Sequence, residues 1–294
     1  MYYKKTHDII GQSLVWTKIV KIFDILAKLL PSDTLDIIRN IGLLADKSGS
    51  RLYLVGGAVR DLLLGRVPED LDFVLEGNAL DFSHMVAREF DGYVVSESQF
   101  STSKVRLGDL DLDFAMARNE NYRNPGALPT VTRGRIDQDL GRRDFTMNAM
   151  ALPIYEWGHL GVIDPYGGNE DIQNRRIRVL HERSFVDDAT RIMRAVRYER
   201  RLRFVIEEKT EHMLRRDLSM LATISGDRIR SEFRKWMKEY NSLDLMIRAS
   251  DLGITQVVEP GLNRSVDFLK DLKRDFGLMA LNEKPYFAVL AYFM

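Results

Sequence analysis

The sequence predicts an α+β fold, with a mixed, partly antiparallel sheet over residues 51–152 followed by an all-helical region. Three observations predict it. Short apolar runs of strand length, at 52–55, 71–75, 92–95, 102–107 and 110–117, share the first part with two segments of helical composition, 58–64 and 79–90. Strand follows strand without an intervening helix between 102 and 117, which requires antiparallel neighbours. From Ser184 onward, helical patterns dominate to the C-terminus. The chain accordingly divides into N-terminal helices (1–50), a sheet-bearing head (51–152), a neck (153–240) and the start of a helical body (241–294).

Composition narrows the class. Apolar content of 45% and charged content of 29% are ordinary for a globular chain, and 294 residues allow two or three small domains. No apolar run reaches the roughly 18 residues of a membrane span. Thr17, Lys18, Lys21 and Asp24 interrupt the N-terminal apolar run, so no cleavable signal pattern is present and a cytoplasmic location is expected. Absence of cysteine excludes disulfides and thiolate metal sites, and the five histidines lack metal-ligand spacing. Lys+Arg and Asp+Glu are 43 each, so net charge does not mark a nucleic-acid binder. Distribution is more informative: acids gather between Glu69 and Asp113, arginines from Arg133 to Arg203. The sequence leaves the oligomeric state open.

In order along the chain, Val15, Ile19, Ile22, Leu26 and Leu29 share a helical face that Pro31 ends, and Ser32 opens a second helix to about Asp46. Leu52-Tyr53-Leu54-Val55 suits a buried strand, and Gly56-Gly57 follow, where the backbone can take positive φ and approach a ligand. Helical composition then runs to Gly65. Asp70 and Asp72, two apart at the head of an apolar run, are expected on one strand face. Leu110-Asp111-Leu112-Asp113-Phe114-Ala115 alternates in the same way, so Asp111 and Asp113 share a face opposite Leu112 and Phe114. Residues 118–138, rich in Asn and Pro, read as a long loop. Asp164 to Gly168 is a turn-rich connection. Asp227–Tyr240, Leu243–Ala249 and Val266–Phe276 read as helices, and the apolar run Pro285–Met294 predicts that the natural protein continues further.

Carboxylates facing one way across from a glycine turn and Arg60 suit Mg²⁺ held against a triphosphate, because Mg²⁺ takes hard oxygen ligands and shares them with phosphates. Gly141-Arg142-Arg143-Asp144-Phe145-Thr146-Met147-Asn148-Ala149 is an unusual sequence for a core element. In Ser184-Phe185-Val186-Asp187-Asp188-Ala189-Thr190-Arg191-Ile192-Met193-Arg194-Ala195-Val196-Arg197, Ser184 and Asp187 are spaced as in a capping box. Ala189, Ile192, Met193 and Val196 form a buried stripe, with Asp188 and Arg191 together on another face of one helix.

These motifs, in this order, resemble the tRNA nucleotidyltransferase/poly(A) polymerase family of the DNA polymerase β-like nucleotidyltransferase superfamily, class II CCA-adding enzymes in particular. The resemblance covers about Arg51 to Trp236 and implies a nucleotidyltransferase head followed by a helical neck and partial body. It implies Mg²⁺-dependent, template-independent transfer of CMP or AMP from CTP or ATP to the 3′ end of tRNA, with release of pyrophosphate. Enzymes adding only CC or only A, bacterial poly(A) polymerases, and an inactive nucleotide- or RNA-binding relative remain alternatives. By resemblance, Asp70, Asp72 and Asp113 are the metal-binding catalytic acids, with Asp111 as the alternative third. Gly56, Gly57, Arg60, Arg142, Arg143, Asp144 and Asn148 would bind sugar and triphosphate. Asp188 and Arg191 would read the base, beside Asp187, which stands where the family has Glu. Arg194 and Arg197 would point to phosphates. The Gly226-Asp227-Arg228-Ile229-Arg230 segment would stabilise the neck.

Overall fold

The computed structural model describes residues 22–99, 101–121, 130–154 and 161–259, and the start of the expected N-terminal helix at Val15 and Ile19, the expected helix over 266–276, the run 285–294 and positions 122–129 of the Asn- and Pro-rich stretch lie outside them. The chain falls into two compact units, Met1–Glu120 with Val131–Ile172, and Asn121–Thr130 with Gln173–Met294.

The first unit opens with α1 (Ile22–Leu29) and α2 (Ser32–Lys47), then β1 (Arg51–Val55), α3 (Gly57–Leu63), β2 (Leu71–Glu76), α4 (Ala79–Glu89), β3 (Tyr93–Glu97), β4 (Thr102–Leu107) and β5 (Leu110–Met116). The chain continues through β6 (Arg118–Asn121), β7 (Thr130–Arg133), α5 (Ile136–Gly141), a 3₁₀ turn at Thr146–Asn148, β8 (Ala151–Pro153) and α6 (Gly168–Gln173). Six strands form a mixed sheet in the order β3-β4-β5-β2-β1-β8. All its pairings are antiparallel except β2 with β5. The crossover through α4, β3 and β4 brings β5 back beside β2 in parallel, pairing Leu71 with Leu112, Asp72 with Asp113 and Phe73 with Phe114.

Two-residue alternation then decides what each face carries. Phe73 stacks on Phe114 at 5.3 Å, and Phe82 of α4 meets Phe114 edge-on at 5.7 Å, so this face is sealed by aromatic packing. Val74, on the opposite face, packs in a cluster with Tyr53, Val55, Ala117, Ile136 and Leu140. That cluster covers one part of the second face and leaves the part around Asp72 and Asp113 open.

The stretch expected as a loop over 118–138 is only partly one. β6 and β7 form their own two-stranded sheet, and α5 begins at Ile136. The β-branched run Thr130-Val131-Thr132 supports the strand, and Ile136 and Leu140, four apart and both buried, support the helix.

The second unit holds β9 (Arg176–Ile177), α7 (Ser184–Asp187), α8 (Thr190–Leu202), β10 (Val205–Ile206), α9 (Glu208–Arg216), α10 (Gly226–Lys238), α11 (Ser242–Asp251) and α12 (Ile254–Val258). It is therefore not purely helical: β9 and β10 pair in parallel. Ile192, Met193, Ala195, Val196 and Leu202 of α8 are buried. Trp236 of α10 is 1% exposed and donates its indole N–H to the Met193 carbonyl at 3.1 Å, so burial leaves no donor unmet. Arg248 of α11 ties Glu199 of α8 to Glu211 of α9. Among the described residues no helix is long and apolar enough to cross a membrane.

Candidate active site

At the end of β1 the chain turns through Gly56, whose φ of 67° and ψ of −127° suit glycine. A Cβ there would lie 2.5 Å from Nη1 of Arg143, so the missing side chain also admits that guanidinium. Gly57 has no positive φ, and a Cβ on it would meet Arg60 at an ordinary 3.5 Å. The two glycines therefore differ: the first is required by backbone and neighbour, the second by neither.

Asp72 and Asp113 sit side by side on the parallel strands and line a cleft of about 350 Å³ together with Lys104, Arg142 and Arg143. Asp72 is open to the cleft, yet its surroundings deplete its hydration and, with the adjacent Asp113 charge, push its pKa up. Lys104 donates to Asp113 Oδ2 at 2.7 Å, and that bond raises the ammonium's own pKa. A repelling carboxylate pair held on neighbouring strands, with a cation already drawn to it, has the chemistry that receives a divalent metal.

Asp70 lies in the bend before β2, exposed, one residue outside the strand on which it was expected. Its charge still acts on Asp72 together with that of Asp113, although among the described residues no group of three or more acidic, His or Cys side chains is set as a metal site. Asp111 is held by Arg106 through two bonds of 2.6 and 2.8 Å, which lower its pKa. Of the two alternatives, Asp113 alone lines the cleft with Asp72.

The double-arginine motif is organised by a residue that the sequence reading passes over. Asp139 of α5 is 0% exposed. Its Oδ1 accepts from Nε and Nη2 of Arg142 at 2.9 and 2.7 Å, and its Oδ2 from Nε and Nη2 of Arg143 at 3.3 and 2.9 Å. Arg142 also reaches Glu120 at 3.0 Å. Burial pushes the Asp139 carboxyl up, but Arg143 and Arg142 outweigh it and hold the pKa below its usual value. The i, i+3 and i, i+4 spacing from Asp139 to the two arginines was the available signal.

Arg60, expected at the nucleotide, is 4% exposed. It grips Asp61 through Nε and Nη2 at 2.9 Å each and Asn148 Oδ1 through Nη1 at 2.7 Å. Asn148 in turn donates to Asp144 Oδ1 at 2.9 Å, which also accepts from the Phe145 N–H. Burial turns this chain into a support beneath the Gly56 turn, with Arg60, Asn148 and Asp144 as its links.

In the second unit, the single helix expected from Ser184 is broken. Asp187 ends α7, Asp188 is extended (φ −142°, ψ 99°), and α8 starts at Thr190. The capping box is absent: Arg183 precedes α7, Ser184 is fully buried, and Asp187 lies 3.5 Å from Arg183. Asp188 caps α8 instead, its Oδ1 accepting from Thr190 N at 3.0 Å and Thr190 Oγ1 at 2.7 Å. It pairs with Arg228 at 2.7 Å and not with Arg191. Arg191 is 4% exposed and donates to Ser184 Oγ at 2.7 Å. Arg194 contacts the Tyr198 hydroxyl, and Arg197 is buried within 3.8–3.9 Å of Glu239 and Glu232.

Residues 52–178 match the family model described as poly A polymerase head domain, and 203–265 that described as probable RNA and SrmB-binding site of polymerase A. The A-adding tRNA nucleotidyltransferase of Geobacter sulfurreducens is 37% identical over 87% of this chain and 30% of its own length. A CCA-adding enzyme structure, apo form II, superposes with a TM-score of 0.80 at 35% identity, over 92% of this chain and 66% of that one. The structure of a tRNA nucleotidyltransferase complexed with a primer tRNA and an incoming ATP analog gives 0.71 at 33% identity, over 83% of this chain and 71% of that one. Other curated relatives carry CCA-adding and CC-adding names. The chain spans less than two thirds of the first curated relatives it matches. By these matches and the geometry above, the chain belongs to the tRNA nucleotidyltransferase/poly(A) polymerase family.

Proposed function

We propose that this chain transfers CMP or AMP from CTP or ATP to the 3′-hydroxyl of tRNA without a nucleic-acid template, adding CCA or part of it. The A-adding names of several relatives favour AMP. The observation that carries the reading is the parallel register setting Asp72 beside Asp113 in a cleft that Arg142 and Arg143 also line.

Asp72 and Asp113 are the residues that would hold Mg²⁺, with exposed Asp70 close by. When bound, the metal supplies charge neutralisation for the triphosphate and activation of the attacking hydroxyl. The chain's own residues do the rest. The Gly56-Gly57 turn and Arg143 receive phosphate oxygens, the arginine as a planar fork. Asp139 holds Arg142 and Arg143 in position, and the Arg60–Asn148–Asp144 chain keeps the turn in shape, with Asp144 next to the sugar. The RNA 3′-hydroxyl gives up its proton to water as its oxygen bonds the α-phosphorus, the bond from that phosphorus to the α–β bridging oxygen breaks, and pyrophosphate leaves. Base choice falls to Asp188 and Arg191: a carboxylate accepts the amino group shared by cytosine and adenine, while a guanidinium donates to ring acceptors. Guanine and uracil present the opposite pattern at that edge and would leave these groups unpaired.

Incubating the chain with tRNA lacking its 3′ terminus, Mg²⁺ and each nucleoside triphosphate, with product lengths read on a gel, tests the reading. Extension by ATP or CTP, abolished in Asp72→Ala at unchanged melting temperature, is the expected result. Equal turnover by Asp72→Ala across a metal titration would remove the acid from the mechanism.

A further inference from the structure

We infer that Arg228, with Thr190, is a positioning residue for nucleotide choice: together they fix one oxygen of Asp188 and reserve the other for the incoming base. The inference rests on the reading of Asp188 and Arg191 as the base-reading pair and names what holds that pair ready.

Three donors converge on Asp188 Oδ1: Arg228 Nη2 at 2.7 Å, Thr190 Oγ1 at 2.7 Å and Thr190 N at 3.0 Å. Among the described residues none donates to Oδ2. The side chain is 21% exposed, so Oδ2 is the oxygen left with capacity to accept. An isolated carboxylate in an extended linker would sample several rotamers, and a ligand would have to order it at an entropic cost. Here the plane is set before any ligand arrives. Arg228 stands 40 residues further on, in α10, so its bond is a long-range tie and not part of the local turn.

Arg191 is prepared separately. Its Nη1 donates to Ser184 Oγ at 2.7 Å and lies 3.4 Å from the Ser184 carbonyl. Had Asp188 and Arg191 paired with each other, a base would need to break that bond before being read. Separate anchors remove the competition. Sequence spacing places the two acids and the arginine together, and the resemblance gives the segment holding Arg228 a role in stabilising the neck, but neither ties Arg228 to Asp188.

The test is equilibrium binding of ATP, CTP, GTP and UTP, each with Mg²⁺, to the full 294-residue chain and to Asp188→Ala, Arg228→Ala, Arg228→Lys and Thr190→Val. Thermal melts of each variant run alongside. Arg228→Ala should lose about ten-fold or more of the preference for ATP and CTP over GTP and UTP. Arg228→Lys, which keeps a charged donor, should recover part of it, and Thr190→Val should fall between. If Arg228→Ala and Thr190→Val keep wild-type selectivity while Asp188→Ala loses it, Arg228 is a structural tie and the inference fails alone. If Asp188→Ala also keeps wild-type selectivity, base reading by this pair fails and the inference falls with it. Should Arg228→Ala fail to fold, the Lys and Val variants decide: selectivity equal to wild type in both overturns the inference.

Discussion

Replacing Asp139 with Asn keeps the shape of a fully buried side chain and removes its charge. One carboxylate oxygen becomes an NH₂ group that faces a guanidinium, donor against donor. The Arg142 and Arg143 side chains, 18% and 17% exposed, then keep their charges without this counterion. Removing one partner of a buried ion pair costs about 3–5 kcal/mol. The arginines can partly rehydrate, and Arg142 keeps Glu120, so the lower end, about 3 kcal/mol, is expected. Chemical denaturation at neutral pH measures it. The pH dependence has a definite sign. The folded pKa of Asp139 lies below its unfolded value, so its stabilisation is complete above the unfolded pKa and is lost as pH falls through the folded one. The gap between wild type and variant should therefore hold steady from about pH 7 to pH 5 and close only in stronger acid, below about 3.9. Nucleotide affinity should fall in parallel, because Arg143 is no longer held beside Gly56. An unchanged denaturation midpoint with unchanged ATP binding would refute the claim that Asp139 organises the arginines.

Two further outcomes follow from the same cleft. Gly56→Ala places a methyl 2.5 Å from Arg143 Nη1 at a φ of 67°, so a loss of about 1–3 kcal/mol in stability and weaker ATP binding are expected from melts and titration. Lys104→Met removes the ammonium that sits on Asp113, so Mg²⁺ should bind several-fold more tightly by calorimetry, and weaker binding would show Lys104 to be an ally of the metal.

Much of the head was legible because its signals are local. Leu52–Val55, Leu71–Leu75 and Leu110–Ala115 are apolar or alternating runs, and all three are strands of the main sheet. The association of Asp72 with Asp113 was legible only through the resemblance and not from local signals, since their parallel register depends on how a crossover of some thirty residues returns β5 to β2. Asp139 carried a readable signal, the helical spacing to Arg142 and Arg143, but the turn formers around Asn124 hid the start of α5. At Asp188 the apolar stripe Ala189, Ile192, Met193 and Val196 was read correctly and the helix start was not. An aspartate two residues before a threonine competes for the backbone as a cap, and here that competition wins over helix continuation. Face assignment by periodicity fails at such a break, because the residue before it no longer follows the 3.6 period.

The arginines that the resemblance assigns to the nucleotide are distinguished by what already holds them. A guanidinium has five N–H donors in a fixed fork, so it can keep a structural partner and still meet a phosphate, provided that part of the fork faces solvent. Arg60 gives Nε and Nη2 to Asp61 and Nη1 to Asn148, so a ligand could reach it only by displacing those partners. Arg143 is different. It gives Nε and Nη2 to Asp139, lines the cleft, and at Nη1 has a long 3.5 Å contact with the Asn148 carbonyl. That nitrogen is the one brought closest to the Gly56 turn, where a side chain is missing. A phosphate arriving there would exchange a weak contact for a charge-assisted one while the Asp139 bond stays intact, and this exchange is what makes Arg143 the strongest candidate for first contact with the triphosphate.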